Sequence, residues 1–295
     1  MLGQHPEAYG VPELNLFLAE TLQQLLEELK GQSRKMHGPL RTIAQLYSGE
    51  QTMLSIAMAR RWILNRTHCS TGEVYLEFCS KVAPLRIIDK SPAYALDIQN
   101  LNRIQKVFPQ AHYLHLVRHP RPQGESMMKL APQLRQQKQL KRSLVGKIDS
   151  VSPTLLNCID NSTDPPTIDY QYLWYRMQKR ILDFLSTVPS EQQMRLRGED
   201  VLNNPRLYFE KISRWLGLSW NESAFEAMLH PEDSPYACFG PYGANLGNDP
   251  NFLRSPKFRQ KLVVPSTLDG SLPWRKDNGG FLPAVIKLAQ ELGYN

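Results

Sequence analysis

Two short apolar runs, "LRIID" at residues 85–89 and "HYLHLVR" at residues 112–118, constrain the fold of this chain more than any other feature. Each is too short for an ordinary helix, and each ends in polar or turn-forming residues, so each predicts a buried strand. Between them "IQNLNRIQKVFPQA" has helical spacing and stops at Pro109. After Arg118 the pattern turns helical again. Strand, helix, strand, helix predicts a parallel sheet with right-handed crossovers and helices packed on it, an α/β fold. "EQQMRLRGEDVL" predicts a third strand, ending near Glu199.

The remaining segments fill in around that sheet. "ELNLFLAETLQQLLEELKGQ" places Leu14, Phe17, Leu18, Leu22, Leu25, Leu26 and Leu29 at helical spacing, with Gly31 near the stop. "LRTIAQLYSGEQTMLSIAMARRWILNR" predicts two helices. "STGE" at residues 70–73 has capping-box spacing and opens another, through about Ser80. "YQYLWYRMQKRILDFLSTV" and "NPRLYFEKISRWLGL" predict two amphipathic helices, the second closed by Gly217, and the last helix is capped at Gly293. Residues 129–169 are basic and then rich in Ser, Asn and Pro, the composition of a lid-like insertion. The expected organisation is one domain over residues 1–295.

Charge and cysteine use narrow the function classes. The formal net charge is +7, which favours an anionic partner: nucleic acid, a nucleotide or an acidic carrier protein. The basic stretch "RQQKQLKR" lacks the interleaved aromatics of a single-strand binding groove, so nucleic acid is not the expected partner. No apolar run is long enough to span a membrane, and the first residues have no signal-peptide pattern. Cys69, Cys79, Cys158 and Cys238 are scattered, which predicts free buried thiols in a cytoplasmic protein.

In open parallel sheets, ligands sit beyond the carboxyl ends of the strands. The three predicted strands end there in Asp89-Lys90-Ser91, in Arg118 and in Glu199-Asp200. Arg118 is followed eight residues later by Ser126, expected in the first turn of the next helix. A guanidinium fork, a helix start and a hydroxyl make a pocket for a phosphate monoester. The alternative is a structural arginine paired with a carboxylate.

"RIIDKSP" followed by "YLHLVRHPRPQGESM" resembles the sulfotransferase family, and "HPEAYGVPELNLF", "RGEDVLNNP" and "GNDPNFLRSPKF" are similar to its bacterial members. The resemblance implies a P-loop-NTPase-like parallel sheet flanked by helices, and transfer of a sulfuryl group from 3′-phosphoadenosine-5′-phosphosulfate (PAPS) to a hydroxyl, without a metal. It implies that Arg118 and Ser126 hold the 3′-phosphate of PAPS, and that Arg254, Lys257 and Arg259 cover the nucleotide. Sulfuryl transfer needs a base and a cation near the transferred group. Glu13 in "GVPELNLF" matches the position of a catalytic glutamate, its alternative being a helix-start carboxylate. Lys90 is the candidate cation. His230 in "MLHPEDSP" stands where some members place a histidine near the acceptor, and His5 is a further candidate base.

The chain departs from the family in two places. A loop like "PRSGTT", whose amides cradle the 5′-phosphosulfate, precedes the matching segment in relatives and is not found here, so the expectation is a chain lacking the first strand and that loop. Gly198 stands where many members have Tyr before Glu-Asp. The resemblance implies an acceptor that is a small alcohol, a lipid, a glycan or a carrier-protein-bound acyl chain. The rival readings are another nucleotide-dependent transferase such as a kinase, against which the lack of a GK[ST] motif counts, and a catalytically degenerate anion-binding scaffold.

Overall fold

The computed structural model describes residues 1–129, 154, 157–160, 162, 167–259, 262–275 and 277–295. Most of the lid-like insertion expected at 129–169 lies outside the described residues. The chain divides into two compact units, Met1–His112 with Val201–Lys261, and Tyr113–Asp200 with Leu262–Asn295.

In the first unit, β1 (Ala8–Gly10) pairs in parallel with β2 (Arg86–Ile88), Tyr9 opposite Ile87. The second of these strands is the one expected at 85–89. The first was not foreseen, because three residues ending in glycine carry no readable period. Five helices follow in order: α1 (Leu22–Glu28), α2 (His37–Ser48), α3 (Met53–Leu64), α4 (Thr71–Val82) and, after β2, α5 (Ile98–Val107). Their starts are written locally. Ser70 Oγ accepts from Glu73 N at 3.1 Å and Glu73 Oε2 from Ser70 N at 2.8 Å, the capping box expected from "STGE". Thr21 with Gln24 and Thr52 with Ser55 form two more. Each such cap contributes about 1 kcal/mol.

Those caps also correct one expectation. The helix expected over "ELNLFLAETLQQLLEELKGQ" is a 3-10 turn at Leu16–Leu18 followed by α1, because Asn15 is left-handed (φ 53°) and Thr21 is an extended cap. The apolar positions are nonetheless buried: Leu14, Leu16, Leu22 and Leu25 join Leu40, Ile43, Ile56 and Phe78 in one core.

In the second unit, β3 (Tyr113–Val117) pairs in parallel with β6 (Gln193–Arg197), Val117 opposite Arg197. β4 (Ile159–Asp160) and β5 (Thr167–Ile168) form a small antiparallel ladder. A helix over residues 120–129 follows β3, and the helix Tyr170–Leu185 carries Trp174 into a core with Val117, Leu272, Val285 and Leu288. The closing helix is Pro283–Glu291, and Gly293 is left-handed beyond it, as expected.

All four cysteines are free. Only Cys158 is fully buried and Cys238 is exposed, so the expectation of buried thiols fails at Cys238. Among the described residues, no helix is long and apolar enough to cross a membrane.

Candidate active site

In the first unit, the segment after β1 and the segment after β2 meet. Lys90 Nζ donates to Glu13 Oε1 at 2.7 Å, joining the expected base and the expected cation across 77 positions of sequence. Lys90 is 66% exposed in its side chain, so the pair adds at most about 1 kcal/mol to stability. It places an ammonium beside a carboxylate, beyond the carboxyl ends of two parallel strands.

The backbone around Glu13 is held from three sides. Glu13 N donates to Gly247 O at 2.7 Å. Gly38 packs so closely that a Cβ there would lie 1.9 Å from Glu13 O, so only glycine fits. Asn15 Nδ2 donates to Glu13 O and to Lys35 O, each at 3.2 Å. Lys35 is half-buried, and burial pulls its ammonium down while Glu28 and Glu13 pull it back up.

Asp89 ties the two segments together. Ser91 Oγ donates to Asp89 Oδ1 at 2.7 Å, Tyr94 OH donates to Oδ2 at 3.2 Å, and the Leu14 amide adds a third hydrogen bond. Asn15 N in turn donates to Ser91 Oγ at 3.2 Å. Burial pushes the Asp89 carboxyl up to about 6, with the hydrogen bonds from Ser91, Tyr94 and Leu14 opposing it. A folded value above the unfolded one means that the native state holds the proton longer, so this group's contribution to stability declines as pH rises from about 4 to about 6. Asp89→Asn removes that slope. Relative to wild type, the variant is expected to gain about 3 kcal/mol between pH 4 and pH 7, measured by urea unfolding at both. Parallel curves for the two proteins would show that the carboxylate is not buried as described.

The histidine candidates are occupied. His5 is buried, with Nε2 against Ser219 O at 2.8 Å and Nδ1 accepting from Glu7 N. His230 has Nδ1 against Glu232 and Nε2 against Glu226, each at 3.1 Å, and these carboxylates raise it above the ordinary histidine value. Arg254, Lys257 and Arg259 are exposed; Arg254 donates to Asn251 Oδ1 and Arg259 to Ser255 Oγ.

In the second unit, Arg118 directly follows β3. Its carbonyl accepts from Trp174 Nε1 at 2.8 Å, while its side chain is exposed and, among the described residues, pairs with no carboxylate. Ser126 lies in the second turn of the following helix, not the first. Pro120 starts that helix early, its fixed φ suiting the first helical position, and His119 Nδ1 accepts from Arg121 N at 3.1 Å like a cap. Glu199, two residues beyond the end of β6, accepts from His119 N at 2.9 Å and from Tyr294 OH at 2.9 Å. Tyr294 thus puts a ring beside Glu199, next to Gly198.

The profile of the sulfotransferase family matches residues 1–222, three quarters of the chain. The chain belongs to the sulfotransferase family. No curated protein matches it in sequence. Among solved structures, this sulfotransferase is similar to the sulfotransferase domain from the Synechococcus PCC 7002 olefin synthase, at 26% identity and a TM-score of 0.68, covering 100% of this chain and 88% of that one. It also shares the fold of the sulfotransferase domain from the curacin biosynthetic pathway, at 22% identity and a TM-score of 0.67, covering 100% and 91%. The expected sulfotransferase fold, α/β with parallel strand pairs and flanking helices, is the observed one.

Sequence reading picked out Glu13, Lys90, Arg118 and Ser126, but passed over Lys35, Asn15 and the Ser91–Tyr94 support of Asp89. The one local signal for the last was the carboxylate next to the lysine in "DKSP". Nothing local marks Lys35, which reaches Glu13 only through the fold.

Proposed function

We propose that this sulfotransferase moves a sulfuryl group from PAPS to a hydroxyl acceptor, a small molecule or a carrier-protein-bound acyl chain, in the cytoplasm. The observation that carries the donor reading is Arg118: an exposed guanidinium at the end of a parallel strand, without a carboxylate partner among the described residues. A structural arginine would be paired; an anion-binding one waits open. Ser126 adds a hydroxyl on the next helix, and Arg254, Lys257 and Arg259 are exposed cations suited to phosphate.

The chemistry then assigns one task to each residue. Glu13 accepts the proton of the acceptor hydroxyl. The acceptor oxygen bonds to sulfur, the bond from sulfur to the phosphate oxygen breaks, and adenosine 3′,5′-bisphosphate leaves. Lys90 neutralises charge that grows on the sulfuryl and bridging oxygens. Its hydrogen bond also holds Glu13 in place before the acceptor arrives.

Arg118→Ala tests the donor assignment. Calorimetry should show a loss of ~1.5–3 kcal/mol in binding adenosine 3′,5′-bisphosphate, the worth of a charge-assisted contact, and a much smaller loss for ADP. Equal losses would mean that Arg118 does not read the 3′-phosphate. Binding of neither nucleotide by wild type, with steeply salt-dependent binding of random oligonucleotides, would favour the scaffold reading.

A further inference from the structure

Within the first unit, α2 and α3 border a cavity of about 560 Å³. It is of the size that holds a medium-sized organic ligand. One wall is apolar, formed by Met53, Ile56 and Ala57 of α3 with Tyr242 opposite. Met53 and Tyr242 are large and exposed at 66% and 89%, although an α/β protein has ample interior for such side chains. The other wall carries hydrogen-bond donors: the guanidinium of Arg60, and the imidazole of His37. Among the described residues, no carboxylate lines the cavity.

The donors are fixed in place. Arg60 Nη2 donates to Gly243 O at 2.6 Å, which anchors one arm of the guanidinium and orients the rest. His37 is 7% exposed and its Nδ1 accepts from Leu246 N at 3.2 Å, so the ring proton sits on Nε2. Burial and the guanidiniums of Arg60, Arg34 and Arg41 hold His37 down at about 4, so it is a neutral donor at physiological pH. The cavity thus offers positive potential and neutral donors on one side and apolar surface on the other. Its His37 wall is one residue from the backbone of the proposed base: Gly38, the residue after His37, lies against the backbone carbonyl of Glu13.

We propose that this cavity is the acceptor subsite, and that the acceptor is an alcohol with an apolar chain and an anionic end, a carboxylate or a phosphate, held at Arg60. This deepens the sulfotransferase reading and rests on it. The chain lies along Met53 and Ile56, the anion meets Arg60 and the His37 Nε2–H, and the hydroxyl end extends past the cavity lining towards Glu13.

Direct binding tests the subsite without turnover. The probes are a medium-chain ω-hydroxy carboxylate, the matching ω-hydroxyalkyl phosphate and the matching uncharged diol, titrated into the full chain by calorimetry. Wild type should bind at least one anionic probe more tightly than the diol, and the carboxylate and phosphate arms show which anion is preferred. Arg60→Glu should weaken the anionic probe about tenfold or more and leave the diol within about twofold, as expected for a charge reversal at an exposed position. Ala57→Trp, on an exposed helix position, should weaken every probe by filling the cavity. Equal affinity of wild type for the diol and both anions, or an anionic probe indifferent to Arg60→Glu, overturns the proposal. Adenosine 3′,5′-bisphosphate, titrated into the same proteins, separates the two readings. Nucleotide binding without selective probe binding defeats the subsite alone; selective probe binding without nucleotide binding defeats the donor assignment and leaves the subsite standing.

Discussion

Glu13→Gln is expected to lower turnover by ~10²–10⁴, the usual contribution of a general base, while adenosine 3′,5′-bisphosphate still binds. The reasoning is geometric. Glutamine keeps the size of the side chain and an oxygen that can accept from Lys90 Nζ, which lies 2.7 Å from Glu13 Oε1 in the native protein. The backbone anchors, from Gly247 O, Gly38 and Asn15, do not involve the carboxylate at all. Fold and ligand sites are therefore preserved, and only the ability to take a proton is lost. Lys90→Ala should act in the same direction through charge on the sulfuryl oxygens. Radiolabelled transfer from PAPS measures both. Turnover of the Gln variant equal to wild type would remove Glu13 from the reaction. His5 and His230 are poor replacements, since both ring nitrogens of each are already engaged.

Stability should fall steeply as the pH drops from about 6.5 towards 4. Three buried histidines dictate this. His37 in the first unit, and His115 and His119 in the second, are each held down at about 4, chiefly by burial. Below the ordinary histidine value the unfolded chain takes up protons that the native state refuses, so each group withdraws stability as pH falls, by up to about 3 kcal/mol. Asp89 acts in the opposite sense over the same window, and one carboxyl cannot offset three imidazoles. His115 Nε2 meets Gln178 Oε1 at 2.7 Å, and its Nδ1 is buried without a partner. Charging that ring would add a second donor with nothing to receive it. His119→Asn keeps an acceptor for the Arg121 amide and removes the titrating ring. Urea midpoints across this range should fall less steeply for that variant than for wild type. Superimposable profiles would mean that His119 is solvated in the native state.

Local chemistry was legible in the sequence at particular places. Ser70 and Glu73 declared their capping box, Gly217 and Gly293 their left-handed turns, and "RIID" and "YLHLV" their strands. Glu13 and Lys90 were singled out from two separate stretches, as were Arg118 and Ser126 from one. These features depend on a few consecutive residues, whose backbone preferences and hydrogen bonds are short-ranged.

Other features came only with the folded chain. Ala8–Gly10 is a strand because β2 offers it a partner 78 residues away, not because its own residues insist on it. One expected helix broke at Asn15 and Thr21, where hydrogen bonds to Ser91 and to the cap outweighed an unbroken apolar period. Ser126 moved to a second turn because His119 and Pro120 started the helix first. The Glu13–Lys90 pair, the raised Asp89 carboxyl and the neutral His37 all depend on burial and on neighbours distant in sequence. Desolvation and charge pairing act through space within a few ångströms, so no reading along the chain registers them until the strands are in register and the helices have packed.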